Sequence, residues 1–241
     1  MSNIRVLDCT LRDGGYCNQW CFGNSNIRKV IEGLVKANVD VAEVGFLSDS
    51  KISAYSEDVT IFNDLHQVDS FVSQWQGKTE FVVMMNYGEY DAEKLPYSDE
   101  VIVSGIRVAF HKRDMDAALN SCRKIKEKGY KLYIQPMVSM NYSDKEFIRL
   151  LELTSELRPV AFYIVDSFGT MKKKDLIHYA ELSRVNLEKN IVIGFHSHNN
   201  LQLAFSNAQT LVEYPIERDV MVDASIHGMG RGAGNLNLEL F

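Results

Sequence analysis

The sequence predicts an α/β chain folded as a (β/α)8 TIM barrel whose eighth helix is truncated or incomplete. Three observations carry this. Strand-like and helix-like segments alternate along the whole chain, which gives parallel sheets. The strand-like segments are nearly continuous apolar runs, as parallel strands buried on both faces require. Polar residues close almost every strand: Arg12 and Asp13, Glu43, Asn86, Arg107 and His111, Gln135, Asp166 and Ser167, His196 and His198, Asp223 and His227. A doubly wound open sheet does not account for that last pattern. In a closed barrel all of these ends face one mouth. The length, 241 residues, is close to the roughly 250 typical of one such barrel.

The elements read as follows. Ile4 to Cys9 is a first strand. Asn24 to Asn38 is a helix capped by Asn24 or Ser25, with Ile27, Val30, Ile31, Leu34 and Val35 at helical spacing. Val39 to Phe46 is a second strand. Ser56 to Trp75 is broken but mostly helical, with Val59, Phe62, Leu65 and Val68 on one face. Phe81 to Met85 is a third strand, followed by a short helical stretch around Asp91 to Leu95. Val101 to Phe110 holds a fourth strand, and Met115 to Lys128 is a helix stopped by Gly129. Lys131 to Val138 is a fifth strand. Ser143 to Leu157 is a helix opened by a capping box of Ser143 and Glu146. Val160 to Val165, Lys173 to Leu187, Ile191 to Phe195, Leu201 to Tyr214 and Val220 to Ile226 complete the alternation. The whole span 1–241 reads as a single catalytic barrel domain. Its end at Leu238 to Phe241, where an eighth helix should begin, means either that this helix is missing or that the chain is the N-terminal part of a longer protein.

Composition narrows the function. The net charge is −6 with no basic block, so nucleic acid is not an expected partner. No secretory signal opens the chain and no apolar run is long enough to span a bilayer. Cys9, Cys17, Cys21 and Cys122 show no zinc-type spacing. They read as reduced thiols of a cytoplasmic protein.

Three motifs carry chemistry. Thr10-Leu11-Arg12-Asp13-Gly14-Gly15 follows the first strand. Alone it reads equally well as a salt bridge at a tight turn. Gly194-Phe195-His196-Ser197-His198-Asn199-Asn200 ends the seventh. Two histidines at i, i+2 on a strand point the same way. With Asp13 they form a two-histidine, one-carboxylate set that leaves positions open on an octahedral divalent ion. The third motif, His227-Gly228-Met229-Gly230-Arg231-Gly232-Ala233-Gly234-Asn235, lets backbone approach a ligand closely after the eighth strand. It lacks the ending of a P-loop.

In this order the three motifs resemble those of the DRE-TIM metallolyases, the HMGL-like superfamily of pyruvate aldolases, hydroxymethylglutaryl-CoA lyases and isopropylmalate-type synthases. The resemblance runs from Leu7 to Asn235. The stretch Gly232-Ala233-Gly234-Asn235 with Leu238-Glu239 is most similar to 4-hydroxy-2-oxovalerate aldolases; the synthases carry Gly-Glu-Arg-Ala-Gly-Asn there. The resemblance implies a divalent metal, Mn2+ or Mg2+, on Asp13, His196 and His198, with Asn235 reaching the metal or its water. It implies that Arg12 holds the enolate oxygen of a 2-oxo acid, and that Asp166 and Ser167 orient the site. The expected partners are a 2-oxo acid and an aldehyde, with a homo-oligomer left open. One position departs from the pattern. The aldolases place a histidine base three residues after the motif aspartate, where this chain has Tyr16. Tyr16, His227 and His111 are then the candidates for proton transfer. A Claisen-type acyl-CoA synthase or lyase and a non-catalytic barrel are the alternatives. Biotin-dependent carboxyl transfer is disfavoured by Val165, where that chemistry looks for a lysine.

Overall fold

The computed structural model describes residues 3–51, 55–75 and 77–241. Eight parallel strands close into a barrel: β1 (Ile4–Asp8), β2 (Val41–Leu47), β4 (Glu80–Asn86), β5 (Gly105–Phe110), β6 (Lys131–Pro136), β7 (Ala161–Asp166), β8 (Val192–Ser197) and β9 (Val220–Ala224). Closure comes from β1, which pairs with β9 on one side and β2 on the other. A two-residue strand, β3 (Ile61–Phe62), pairs with the end of β2 outside the ring. The helices are α1 (Asn24–Lys36), α2 (His66–Val72), α3 (Met115–Glu127), α4 (Asp144–Leu157), α5 (Lys173–Asn186) and α6 (Ala204–Glu213).

The core has two shells, as the period of a strand dictates. One set of strand side chains packs against the helices, with Val83, Ile106, Val108, Ile134, Phe162, Ile164 and Ile193 among them. The alternate set fills the barrel: Leu7, Cys9, Val41, Val82, Tyr133, Ala161, Tyr163, Val165, Val192 and Met221. A third cluster of Phe46, Ile61, Met84 and Ala109 lies at the mouth.

Two expectations are corrected. The stretch from Ser56 to Trp75 is not mostly helical. Only His66–Val72 forms a helix, and Ile61–Phe62 is a strand. Three successive residues, Val59, Thr60 and Ile61, are β-branched and favour extended backbone. Their partner is ready: the β2 register shifts between Glu43 and Phe46. There Gly45 at φ 154° lets the Thr60 carbonyl approach to 2.1 Å of where a Cβ would sit. Phe46 N then donates to Thr60 O at 3.0 Å. The short helical stretch around Asp91 to Leu95 is a 3-10 turn over Ala92–Lys94, so β4 and β5 are joined without an α-helix. The cap of α1 is neither Asn24 nor Ser25. The Asn24 N–H donates to the Asp58 carboxylate, 34 residues away, at 2.9 Å. The capping box of α4 stands, with Ser143 N donating to Glu146 Oε2 at 2.8 Å. After β9 the described chain carries a 3-10 turn at Ile226–Gly228 and no α-helix.

Candidate metal and substrate site

Asp13 hangs from the tight turn that follows β1, where its N–H donates to Cys9 O at 2.7 Å. Trp20 braces the turn from outside by donating to Arg12 O at 2.6 Å. Across the mouth, β8 delivers His196, and His198 follows two residues on. Both imidazoles turn inward, and their Nε2 atoms each lie 3.8 Å from Asp13 Oδ2. One ligand atom from each of the three residues falls within 4.8 Å of the others.

The opposite ring nitrogens fix the orientation. His196 Nδ1 donates to Asp223 Oδ2 at 2.9 Å, and His198 Nδ1 to the Gly234 carbonyl at 3.3 Å. Each contact holds its proton on Nδ1 and leaves Nε2 as a lone-pair donor towards Asp13.

Beneath this triad runs a chain of buried charges. Arg12 Nη1 pairs with Asp13 Oδ1 at 3.0 Å, and Arg12 Nε with Glu43 Oε2 at 2.7 Å. Arg107 reaches the same Glu43 oxygen at 2.8 Å and also pairs with Asp223. Asp223 returns to His196. Arg107 is fully buried, lies against the Tyr163 ring at 4.8 Å, and meets the Gln135 amide oxygen with its Nε at 3.1 Å.

Burial raises a carboxyl pKa, but around Asp13 the Arg12 guanidinium and both imidazoles overcome it and hold the group below its ordinary range. Asp223 is likewise depressed, because Arg107 outweighs its burial. His198 moves the other way, down to about 4, by burial first and then by its neighbour His196. A carboxylate and a neutral imidazole are the forms that bind metal.

Among the described residues, Asp13 Oδ2, Asn235 Oδ1 and Arg12 Nη2 are buried without a hydrogen-bond partner. Such atoms are costly unless something else satisfies them. Asn235 is paired across an antiparallel bridge with His198, and its Nδ2 donates to Met229 O at 3.0 Å. An oxygen- and imidazole-rich set of this kind fits an octahedral divalent ion.

The triad opens into a cavity of about 70 Å³ bordered by Arg12, Tyr16, Phe46, Ser167 and Arg231. Larger clefts of about 690 and 900 Å³ lie elsewhere and contain none of the triad.

Tyr16 stands at this cavity. It is 39% exposed, packed edge-on against Trp20 at 4.7 Å. His227 does not reach it. Its backbone is left-handed (φ 53°), and its side chain is 82% exposed beside Glu239. His111 borders a separate cleft with Lys112 and Asn141. Asp166 turns away from the mouth and accepts from the Thr170 and Met171 N–H groups, each at 3.0 Å. Its partner Ser167 lines the cavity and accepts from Val138 N at 2.9 Å. Sequence reasoning noticed Glu43, Arg107 and Asp223 as strand-end polar residues but gave them no role. A charge alone within an apolar strand run, as in Val-Met-Val-Asp-Ala, is the signal that could point to a buried partner inside a barrel.

Fold and site together define a (β/α)8 barrel with an Asp-His-His set at the C-terminal ends of its strands. The HMGL-like family model matches residues 103–241, more than half of the chain, and the chain belongs to that family. It is 26% identical over 239 residues to a 4-hydroxy-2-oxovalerate aldolase of Geobacillus genomosp. 3, covering 98% of this chain and 68% of the relative. A 4-hydroxy-2-oxovalerate aldolase of Carboxydothermus hydrogenoformans is 27% identical over 237 residues, covering 98% and 69%. Among solved structures, the N-terminal domain of an aldolase-like protein of Bacteroides vulgatus superposes with a TM-score of 0.76 at 27% identity, covering 98% of this chain and 77% of that one. The HMG-CoA lyase of Bacillus subtilis gives 0.77 at 14% identity, covering 99% and 83%, a likeness of fold alone. No helix among the described residues is long and apolar enough to cross a membrane.

Proposed function

We propose that this chain is a divalent-metal-dependent carbon–carbon lyase, an aldolase that cleaves or forms a bond at a 2-oxo acid through a pyruvate enolate. The observation that carries the reading is the convergence of Asp13, His196 and His198 beside Arg12, in a chain whose relatives bear the name 4-hydroxy-2-oxovalerate aldolase. The likeness to HMG-CoA lyase is more distant and supports an acyl-CoA reaction less well.

Asp13, His196, His198 and Asn235 would hold Mn2+ or Mg2+, which when bound supplies Lewis-acid polarisation of the 2-oxo group. Charge supports this. Asp13, Glu43 and Asp223 face Arg12 and Arg107, leaving one net negative charge with the imidazoles neutral. A divalent ion turns that into one positive charge, which a single substrate carboxylate neutralises.

The unpartnered Nη2 of Arg12 is free to donate to the enolate oxygen as charge develops there. Tyr16 serves as a phenolate: it takes the proton of the 4-hydroxyl in the cleavage direction and, as the phenol, holds it for return to C3. The C3–C4 electron pair stays with C3, the C4 end leaves as an aldehyde, and C3 then takes a proton to give pyruvate. Phe46, Met84 and Val165 line the cavity and keep water from the enolate.

The test is deuterium exchange at C3 of pyruvate, which reports enolate formation whatever the aldehyde. Exchange is expected from metal-loaded protein, lost after chelation and restored by Mn2+ or Mg2+. Tyr16→Phe should lose most of it while binding metal normally, and His227→Ala should keep it. No exchange from the metal-loaded wild type refutes the aldolase reading. The reverse behaviour of the two variants moves the base to His227.

A further inference from the structure

The cavity has a guanidinium at each end. Arg12 lies at the bottom, 5% exposed, with Nη2 unpartnered. Arg231 lies at the exposed rim on the loop Gly230–Arg231–Gly232. Among the described residues Arg231 has no hydrogen bond or ion pair from its side chain. Its guanidinium is centred 5.6 Å from the Tyr16 ring. The other cation near this wall, Lys51, lies 5.1 Å from the Phe46 ring but is held by Glu89 at 3.0 Å. In a chain of net charge −6, an arginine left unpaired at the rim of the substrate cavity is available to a ligand.

We propose that Arg231 is a specificity residue: it binds a second anionic group, a carboxylate or a phosphate, on the aldehyde-derived end of the substrate. This rests on the aldolase reading and names the substrate class that reading leaves open. The cavity, about 70 Å³, has Arg12 and the Asp-His-His set at its inner end and Tyr16 and Arg231 towards its rim. A 2-oxo acid seated on the inner end therefore directs its aldehyde-derived part past Tyr16 to the rim. Arg12, with the divalent metal that Asp13, His196 and His198 would hold, serves the first carboxylate and the 2-oxo group. Arg231 then meets whatever the fourth carbon carries. A guanidinium there forms charge-assisted hydrogen bonds to an anion and offers nothing comparable to a methyl group.

The experiment is condensation by the metal-loaded chain of pyruvate with three aldehydes: butanal, succinic semialdehyde and glyceraldehyde 3-phosphate. The readout is kcat/KM for each anionic aldehyde divided by that for butanal. In the wild type at least one ratio should exceed about 10. Arg231→Gln should bring that ratio close to one, Arg231→Lys should retain part of it, and Arg231→Glu should invert it. The aldehyde with the larger ratio tells carboxylate from phosphate. A wild type that exchanges pyruvate deuterium but prefers butanal overturns the proposal, as does a preference that survives Arg231→Gln. A wild type that exchanges no deuterium instead refutes the aldolase reading, and this proposal with it.

Discussion

Asp8 and Asp13 lie five residues apart around the end of β1, and both are buried. Asp13 faces the mouth, within reach of Arg12 and two imidazoles, and its carboxyl is held below the ordinary range. Asp8 faces outward, under the last loop. It receives only Thr10, whose N–H donates at 2.9 Å and whose hydroxyl donates at 2.7 Å. Burial dominates there and, opposed by those bonds but helped by Glu43 and Glu239, pushes its pKa up to about 7. The same residue type, equally buried, is thus a poised anion on one side of the strand and close to a neutral acid on the other. What makes a ligand of Asp13 is the company of cations, not its position in the motif.

The comparison is broken most severely at Arg12. Arg12→Lys keeps a charge but loses the fork that spans Asp13 and Glu43. Pyruvate exchange should fall by about 10²–10³ with the fold retained, as for loss of one preorganised oxyanion donor. Circular dichroism together with exchange rates checks both halves. Next in size is Asp223→Asn. It still accepts from His196 but leaves Arg107 short of a counter-charge. Divalent-metal affinity, measured by calorimetry on the chelator-stripped chain, should drop by about 10–100-fold.

Gly234→Ala attacks the other imidazole. Its φ is 86°, and a Cβ would lie 2.3 Å from the Gly228 carbonyl, so the backbone oxygen that orients His198 must move. Metal affinity should fall by roughly tenfold, at the low end of the range for outer contacts to a ligand. An unchanged affinity would mean that His198 needs no such support.

The effect at Asp8 leaves the site alone and falls on stability. Because its folded pKa lies above the unfolded value, its ionisation opposes folding. The stability it contributes is complete below pH ~4 and is lost as pH rises towards 7. Asp8→Asn should remove this slope. Against pH, the wild-type unfolding free energy should decline relative to the variant by about 4 kcal/mol between pH 4 and 8, the rise from 3.8 to about 7 taken at about 1.36 kcal/mol per pH unit. Parallel urea curves at the two pH values would show instead that Thr10 and its neighbours compensate the charge fully.

Each half of the triad was legible because its residues lie close together along the chain; joining the halves rested on the barrel, whose strand ends face one mouth. Strand alternation places His196 and His198 on one side without knowledge of any neighbour, and Arg12-Asp13 sits in its own turn. The charge chain was not legible. Glu43, Arg107 and Asp223 come from three strands, and which of them meet depends on how the barrel closes. The segment around Ile61 misled because Val59, Phe62, Leu65 and Val68 recur at helical spacing. The unseen partner, the bulge at Gly45, turns that stretch into a strand. His227 lies away from the cavity because the strand already ends at Ala224, and the left-handed backbone at His227 leaves its imidazole exposed.

The bridge made by Arg107 has a consequence for how such a protein can change. One guanidinium serves Glu43 on the Arg12 arm and Asp223 on the His196 arm, so neither arm can drift alone. Losing one member strands a buried charge, at about 3–5 kcal/mol, a large share of the roughly 5–15 kcal/mol that holds a domain together. Substitutions at Glu43, Arg107 and Asp223 should therefore be non-additive and should survive only in concert. The rim at Arg231 bears no such obligation. Ancestry can rewrite what the mouth accepts while the floor of the barrel stays locked.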